Sequence, residues 1–491
     1  MPKISALLVF CLIIIRSLTA QVQPTKEQLI SMKTMVEGYN QMDYKMMKKP
    51  WGLIGKVLIP KKSLENEFKP PFLNYGTATI DTIVCPSIYS CSALLSYEND
   101  PYKRGFLKFL FNNGGKLQGF GNDYPILVYP NKKTLKSDQL SSIQKSYLID
   151  SLINKRHQSA HPFDFNGCIL AMKDDSIIYK KCFGNSNFEN NTKLNDSSRI
   201  LLASCSKQFT AMGILILVDE GKLHLKDSIQ QFFPDFPYHG ITIENLLTHT
   251  SGLPDYMPLL KEYWDKSKIA TNQDVIDLLT ANHAPVKFEP NTRFDYSNTG
   301  YVLLASMIEQ VSEQTYGTFL QKHIFKPLGM NQTIVVARRM MDAIPPNYGL
   351  GYVYDRTTKT YRLPDSLKSY NYVIYQDGIV GDDGVSSSIT DLAIWTAALK
   401  NHTLIQEKMM EKAWTPQYLK NGKKVNYGYG FFLSHEESEN KLIYHTGGWP
   451  GYSTLIMQFI ESGETVVVLS NNQYDRFLTL TDEVMGTLIY R

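Results

Sequence analysis

The stretch Ser204-Cys205-Ser206-Lys207, followed by Gln208-Phe209-Thr210-Ala211-Met212, decides how this 491-residue sequence is interpreted. Apolar residues continue to Val218 and then give way to Asp219-Glu220-Gly221, where glycine is a typical helix stop. This pattern predicts a buried helix that begins at Ser204. Because side chains three residues apart lie on one face of a helix, the Ser204 hydroxyl and the Lys207 amine should lie within reach of each other.

Lys207 is expected to receive the proton of Ser204. Burial and the positive end of the helix dipole both disfavour an ammonium, and a neutral amine could activate a weak hydroxyl nucleophile. The spacing alone is weak support, since Ser-x-x-Lys also occurs at Ser142–Lys145 and Ser438–Lys441 in polar surroundings. Ser204 could instead be a helix cap.

Two further motifs follow in a fixed order. Tyr296-Ser297-Asn298 lies well beyond Lys207, and His445-Thr446-Gly447 falls in a strand-like segment near the end of the chain. The ordered set of three motifs resembles the serine β-lactamase and penicillin-binding protein superfamily. Other members of that superfamily combine Ser-x-x-Lys with Ser-Asp-Asn and Lys-Thr-Gly. The set is most similar to the branch with a Tyr-x-Asn second motif, which includes class C β-lactamases, D-stereospecific peptidases and related esterases.

The resemblance covers roughly residues 160–491. Further matching segments are Leu246–Leu253, Gly381–Ser387, which runs into Asp391, and Val466–Asn472. It implies an α+β fold: a β-lactamase/transpeptidase-like antiparallel sheet flanked by helices, with an inserted helical region. The residues agree, because alternating segments occur at 165–184 and again near 441–444, 452–460 and 465–469, before a closing helix near 482–490.

The resemblance also implies roles for particular residues. Ser204 would attack a carbonyl, while Lys207 and Tyr296 would share the transfer of its proton to the leaving group. Asn298 would hold the substrate amide and Lys207. The oxyanion would lie between the backbone N–H groups of Ser204 and Gly448, and the remaining residues of the third motif, His445, Thr446 and Gly447, would border the substrate.

His445 is a departure from the superfamily pattern. Where β-lactamases usually carry lysine, this imidazole is mostly neutral at pH 7, so a permanent charge for a substrate carboxylate is missing. The departure favours an amide- or ester-cleaving peptidase or esterase. The alternatives are a β-lactamase and a low-turnover penicillin-binding or sensor protein. Tyr296 could also be a core residue, Asn298 a turn residue and His445 an ordinary strand histidine.

The chain length suggests two or three units. Residues 1–20 are expected to be a signal peptide, with Lys3 before an apolar stretch and small residues before cleavage at Ala20. Residues 21–155 are expected to be an accessory α+β domain with a linker helix over 136–155. Residues 156–491 would be the hydrolase domain, exported to the periplasm or secreted. In the first unit, strand-like runs occur at 78–83, 105–111 and 125–129, with a strand-turn-strand pattern across 108–120.

The amino-acid composition limits the classes of binding partner that we expect. The 51 basic and 47 acidic residues nearly cancel, which excludes a basic footprint for nucleic acid. The mature chain shows no membrane span, so a small-molecule or peptide substrate is expected and the oligomeric state stays open. No cofactor or metal is expected, because no Cys/His cluster has zinc-ligand spacing. His249 and the pair Asp382-Asp383 are interpreted as structural turn residues.

Five cysteines remain after removal of the leader, so at least one is unpaired. Cys168 and Cys182 lie symmetrically about a predicted turn and could pair, and Cys85 and Cys91 could do the same. Cys205 is interpreted as a small buried hydrophobe in preference to a redox-active thiol.

Overall fold

A six-stranded antiparallel sheet carries the third motif, residues 445–448, and its strands come from both ends of the hydrolase region. The structure is a computed structural model. It describes residues 25–48, 78–87, 90–97, 100–111, 117–122, 141–158, 164–433, 440–472 and 477–490. The predicted signal peptide at residues 1–20 and the strand predicted at 125–129 lie outside the described residues. Contacts divide the chain into two units, residues 1–134 and 135–491.

The described part of the first unit contains two helices and an antiparallel sheet in the order β1-β2-β3-β4. Its elements are α1 (Lys26–Asn40), α2 (Tyr44–Lys48), β1 (Ala78–Ser87), β2 (Ser90–Tyr97), β3 (Asp100–Phe111) and β4 (Leu117–Asn122). β2 was not predicted, because its sequence lacks a clear alternation of apolar and polar residues. β1 and β3 are longer than their predicted cores, since pairing with β2 extends both strands.

The helix α3 (Ser142–His157) falls where the sequence predicted a linker helix over 136–155, and contacts group it with the second unit. Its Asp150 carboxylate accepts hydrogen bonds from the Tyr179 hydroxyl at 2.7 Å and the Lys181 amine at 2.8 Å. The Lys145 amine donates to the Leu488 carbonyl at 2.6 Å. These tertiary contacts are invisible in a local sequence pattern.

The second unit contains many short strands and a few long ones. They are β5 (Gly167–Lys173), β6 (Ser176–Phe183), β7 (Asn185–Asn187), β8 (Thr192–Lys193), β9 (Ile200–Leu201), β10 (Ile334–Val335), β11 (Val353–Asp355), β12 (Thr360–Arg362), β13 (Val385–Ser387), β14 (Gln417–Tyr418), β15 (Lys424–Val425), β16 (Phe432–Leu433), β17 (Leu442–Trp449), β18 (Tyr452–Phe459) and β19 (Glu464–Ser470). The main sheet has the order β16-β17-β18-β19-β5-β6. Strands far apart in sequence are therefore neighbours.

Helices fill the chain between β6 and β17 and close the fold after β19. They are α4 (Lys207–Asp219), α5 (Ile243–Leu247), α6 (Tyr256–Tyr263), α7 (Asn272–Asn282), α8 (Asn298–Ser312), α9 (Tyr316–Leu320), α10 (Lys326–Leu328), α11 (Tyr372–Tyr375), α12 (Ile389–Lys400), α13 (Glu407–Ala413) and α14 (Phe477–Tyr490). Antiparallel sheet, flanking helices and an inserted helical region confirm the predicted fold class.

The hairpin β5-β6 shows how local sequence fixes the register. Asp174 and Asp175 form its two-residue turn with φ values of 48° and 64°, as a type I′ turn requires. That register places Cys168 directly opposite Cys182, and the two form a disulfide. The side chains of Cys85 and Cys91 lie outside the described part of the structure.

The core lies between the sheet and α4. Phe209, Ile214 and Leu217 of α4 are fully buried, and the Phe209 ring lies 4.3 Å from that of Trp395 on α12. Each such side chain contributes about 1.5–3 kcal/mol through burial. Among the helices that the structure describes, none has the length and apolar character that a membrane crossing demands.

Candidate active site

Ser204 lies on a tight turn in front of α4. Residues Ala203–Ser206 form a 3-10 turn, and the α-helix begins at Lys207, three residues later than predicted. Ala203 has a φ of 48°, a conformation that non-glycine residues rarely adopt. Of the four turn residues, only Ser204 is not buried. The turn therefore presents one hydroxyl and buries its neighbours.

The buried Lys207 amine connects three elements. Its Nζ lies 3.2 Å from the Ser204 Oγ, 2.9 Å from the Asn298 Oδ1 and 2.8 Å from the backbone oxygen of Asp382. Two of these partners only accept hydrogen bonds. A neutral amine can donate to both and still direct its lone pair at the Ser204 hydroxyl. The geometry therefore suits an amine that accepts the serine proton.

Asn298 and Tyr296 reach the site on the turn into α8. Ser297 caps this helix, and its backbone N–H donates to the Nδ1 of His249 at 3.0 Å. The Tyr296 ring centroid lies 5.0 Å from the Lys207 Nζ, but within the described chain its buried hydroxyl has no hydrogen-bond partner. The structure thus bonds Lys207 to Asn298 and places Tyr296 beside it by its ring face.

His249 was predicted to be a structural residue, and the structure shows what it contacts. It is fully buried, and its ring lies 4.3 Å from Tyr296 and 4.4 Å from Tyr427. Because burial lowers its pKa well below the usual value, helped by the nearby Lys207 charge, the ring is neutral. Its Nδ1 accepts a hydrogen bond from the Ser297 backbone N–H, so His249 positions the Tyr-x-Asn turn.

His445 lies on β17 with its side chain almost completely buried. Its Nδ1 lies 2.7 Å from the Thr446 carbonyl, which can only accept, so the Nε2 accepts from the Tyr427 hydroxyl at 3.0 Å. Burial, and then repulsion from Lys207, lower its pKa to about 3. The imidazole is therefore neutral, and it is not among the side chains that line the cavity at Ser204.

The glycines of β17 have different surroundings. A Cβ on Gly447 would lie 2.1 Å from the Leu202 oxygen and 2.2 Å from the Thr454 hydroxyl, so only glycine lets β17 approach the turn before Ser204. At Gly448 a Cβ would meet nothing within 4 Å, and this residue lines the cavity together with Ser204. Thr446 alternates with the two buried positions beside it.

Cys205 points away from the cavity. It is fully buried, its Sγ donates to the His445 oxygen at 3.1 Å, and the Thr454 hydroxyl lies 3.5 Å away. Burial raises the pKa of the thiol to about 12, so the thiolate is scarce at neutral pH.

An open cavity lies beside Ser204 and Asn298. Its lining includes Asp377, Asp382 and Asp383, which we call the acidic wall. The Tyr256 hydroxyl donates to the Asp382 Oδ2 at 3.0 Å. Burial, and then repulsion from Asp382, raise the pKa of Asp383 to about 7; burial also raises that of Asp382. Burial and mutual repulsion therefore disfavour the ionised form of both neighbouring carboxyl groups at once.

Sequence reasoning interpreted this acidic segment as a turn. The turn is real, since Gly381 has a φ of 106° and a Cβ there would lie 2.5 Å from the Tyr301 oxygen. The missed signal was the set of apolar residues on both sides of it, between Ile379 and Val385; Asp382 is buried and Asp383 is half-buried. Among the described residues, no group of three or more His, Cys, Asp or Glu is placed to hold a metal ion.

A serine hydroxyl beside a buried lysine amine, next to an antiparallel sheet with helices between its strands, is the arrangement of a class of serine hydrolases. The sequence model of the family "Beta-lactamase" matches residues 166–485. "Penicillin-binding protein 4*" of Bacillus subtilis (strain 168) is 42% identical over 323 residues, which cover 66% of this chain and 70% of that protein. The chain belongs to this family and is a serine hydrolase, which confirms the predicted superfamily.

Two solved structures have a similar fold. A penicillin binding protein from Bacillus halodurans gives a TM-score of 0.58 at 26% identity, covering 69% of this chain and 98% of that one. D-amino acid amidase from Ochrobactrum anthropi SV3, in complex with L-phenylalanine amide, gives a TM-score of 0.56 at 22% identity, covering 70% and 98%. At that identity the second similarity shows the fold alone.

Proposed function

We propose that this chain is an exported serine hydrolase that cleaves an amide or ester bond through a Ser204 acyl-enzyme, with the specificity of a peptidase or esterase. The main support for this proposal is the position of the Lys207 Nζ, which lies 3.2 Å from the Ser204 Oγ and donates a hydrogen bond to the Asn298 Oδ1. A buried amine in this position can take the serine proton as the Oγ attacks a carbonyl carbon.

The reaction would proceed in two steps. In acylation the Ser204 Oγ bonds to the carbonyl carbon and its proton moves to Lys207, while the N–H groups of Ser204 and Gly448 receive the oxyanion. The bond to the leaving group then breaks, and the leaving group takes that proton through the Tyr296 hydroxyl. In deacylation water attacks the ester, the same groups carry its proton, and the acid leaves with the Ser204 hydroxyl restored. For this relay Tyr296 must turn its unpartnered hydroxyl toward Lys207.

Two features favour a peptidase or esterase over a β-lactamase. The His445 ring is buried and neutral, so it offers no positive charge to the carboxylate of a β-lactam. The acidic wall would repel such a carboxylate. A low-turnover penicillin-binding protein is the second candidate, and it is favoured by the 42% identity with "Penicillin-binding protein 4*".

Export is proposed from two features. Residues 1–20 have the layout of a signal peptide, and the Cys168–Cys182 disulfide suits an oxidising compartment. Expression in a secreting host tests this part: the mature protein should begin at Gln21 outside the cytoplasm. Retention of an uncleaved chain inside the cell would contradict it.

Covalent labelling tests the hydrolase mechanism. Wild-type protein and Ser204→Ala are treated with a fluorophosphonate probe and with a fluorescent penicillin, and Ser206→Ala serves as the neighbouring-hydroxyl control. Fluorophosphonate should label the wild type and Ser206→Ala but not Ser204→Ala. Labelling that survives in Ser204→Ala would refute the assigned nucleophile. Stable penicillin labelling would favour the second candidate, and fast hydrolysis of a chromogenic cephalosporin would favour a β-lactamase.

A further inference from the structure

Ser204 lies on a turn whose backbone conformation has to be held by its surroundings. Ala203, the residue before it, has a φ of 48°, where the Cβ of a non-glycine residue crowds the backbone. A strained conformation of this kind persists only where the surrounding structure fixes it. The contacts that hold this turn therefore also hold the Ser204 hydroxyl and N–H in place.

Thr454 on β18 supplies one of these contacts. Its side chain is fully buried, and its Oγ1 donates a hydrogen bond of 2.6 Å to the backbone oxygen of Leu202. The same oxygen accepts a hydrogen bond from the Cys205 N–H at 3.2 Å, which closes the turn around Ala203 and Ser204. The Thr454 hydroxyl therefore bonds the carbonyl at the base of the turn to the main sheet.

Gly447 of the third motif leaves the space in which this bond forms. It pairs with Thr454 between β17 and β18. A Cβ on Gly447 would lie 2.2 Å from the Thr454 Oγ1 and 2.1 Å from the Leu202 oxygen, which are the donor and the acceptor of the bond. A side chain at position 447 would push these two atoms apart, so the glycine and the threonine act as a pair.

The other contacts of the turn do not replace this bond. On β13, the Val385 oxygen accepts from the Leu202 N–H at 2.8 Å, and the Val385 N–H donates to the Ser206 Oγ at 3.1 Å. These contacts hold the two ends of the turn. The Cys205 thiol bonds to β17 at 3.1 Å, but a thiol is a weak donor. Loss of the Thr454 hydroxyl should therefore loosen the middle of the turn and leave its ends bonded.

We propose that Thr454 is a positioning residue for the reaction at Ser204. Its hydroxyl holds the strained turn closed, so that the Ser204 Oγ stays within reach of Lys207 and the Ser204 N–H stays directed at the oxyanion. Thr454 is not among the residues that line the cavity, and it acts through the backbone of Leu202. This role in the reaction rests on the proposed hydrolase function.

Variants at position 454 separate the hydroxyl from the shape of the side chain. Thr454→Val and Thr454→Ala remove the hydroxyl with and without a methyl group in its place, and Thr454→Ser keeps it. The rate of fluorophosphonate labelling and kcat/KM for a p-nitrophenyl ester should fall roughly tenfold or more in the first two variants, because the nucleophile loses its alignment. In Thr454→Ser both rates should stay within about threefold of the wild type.

Thr396→Val is the matched control. Thr396 is a buried threonine on α12, and its hydroxyl also donates to a backbone carbonyl, that of Leu392 at 3.0 Å. The control loses a bond of the same kind away from the turn, so it should keep both rates. Urea unfolding of all four variants measures how far each one is destabilised as a whole.

Alkylation of Cys205 by iodoacetamide measures opening of the turn without using catalysis. The thiol is fully buried, 3.5 Å from the Thr454 Oγ1, so the reagent reaches it only when the turn opens. Native alkylation should be roughly five- to tenfold faster in Thr454→Val and Thr454→Ala than in the wild type, because the turn has lost one hydrogen bond. Thr454→Ser and Thr396→Val should react like the wild type.

A wild-type rate of labelling, or of alkylation, in both Thr454→Val and Thr454→Ala would overturn the inference. Equal losses in Thr454→Ser, or in Thr396→Val at the same urea stability, would also overturn it. If Thr454→Val does not fold, Thr454→Ala carries the same comparison. A wild type that fluorophosphonate does not label would refute the hydrolase function, while Cys205 alkylation would still show whether Thr454 holds the turn, so the two failures are distinguishable.

Discussion

Two groups of residues near Ser204 differ in how many of their polar atoms have hydrogen-bond partners. We call Lys207 with His445 the lysine side, and the acidic wall with Gln376 the acidic side. On the lysine side, the Lys207 amine has three partners, and the His445 ring uses both nitrogens. On the acidic side, the Asp382 Oδ1 and the Gln376 Oε1 have none within the described chain. The hydrogen bonds of Lys207 hold its amine in one geometry, which proton transfer needs, although the Tyr296 hydroxyl and the His249 Nε2 nearby have no partner within the described chain. On the acidic side the buried acceptors without donors cost stability.

Removing the lysine amine should have the largest effect. Lys207→Met keeps the apolar stem and leaves Ser204 without its base, so kcat/KM for a p-nitrophenyl ester should fall roughly 10²–10⁴-fold. Steady-state kinetics measures this fall, with the exposed Lys222→Met as the control. Activity within a few-fold of the wild type would assign the proton transfer to another group.

The bonded lysine side should also be sensitive to acid. The pKa of His445 is about 3 in the folded protein, so the unfolded chain binds the extra proton between pH 6.5 and 3 and stability falls as the pH falls through that window. The loss from pH 7 to pH 4 should be about 3 kcal/mol smaller in His445→Gln than in the wild type.

Urea unfolding at both pH values measures this difference. His249 is shifted in the same direction, so some acid sensitivity should remain in the variant. The exposed His239→Gln should behave like the wild type. Identical acid losses in His445→Gln and the wild type would mean that His445 is not held neutral.

On the acidic side, folding stability should change with pH in the opposite direction. Because the pKa of Asp383 is raised to about 7, the folded protein binds more protons than the unfolded chain above pH 3.8, and stability falls as the pH rises through 7. Asp383→Asn should therefore be stabilised relative to the wild type by roughly 2 kcal/mol more at pH 8 than at pH 5. Thermal unfolding of the wild type and Asp383→Asn at both pH values measures this difference, and the exposed Asp235→Asn is the control. An equal stability difference at pH 5 and pH 8 would mean that the pKa of Asp383 is not raised by folding.

The smallest effect is expected behind the lysine side, at Cys205. Cys205→Ala loses one hydrogen bond to the His445 oxygen and should cost about 1 kcal/mol of unfolding free energy, with the ester activity retained. In the native wild type, the Cys205 peptide should resist iodoacetamide because the thiolate is scarce. Mass spectrometry before and after urea denaturation reads this out, and fast native alkylation would point to a reactive thiol.

Local sequence predicted much of the second unit correctly. The pair Asp174-Asp175 predicted the hairpin, and the apolar run after Lys207 predicted a buried helix. Turn chemistry and hydrophobic periodicity act over a few residues, so they can be read locally. The prediction was poorer for β2, whose length and pairing depend on its neighbours.

The sequence by itself determined the family and the order of the three motifs, because the reacting groups must be of particular types at particular spacings. It also suggested that Ser204 and Lys207 meet, since three residues span one helical turn. Only the tertiary structure showed that His445 is buried with Tyr427, that the Tyr296 hydroxyl is unpartnered, and that Asp382 and Gln376 share a cavity with Ser204. Burial and long-range proximity arise when distant segments pack, and they set both the charge of each group and the partners it lacks.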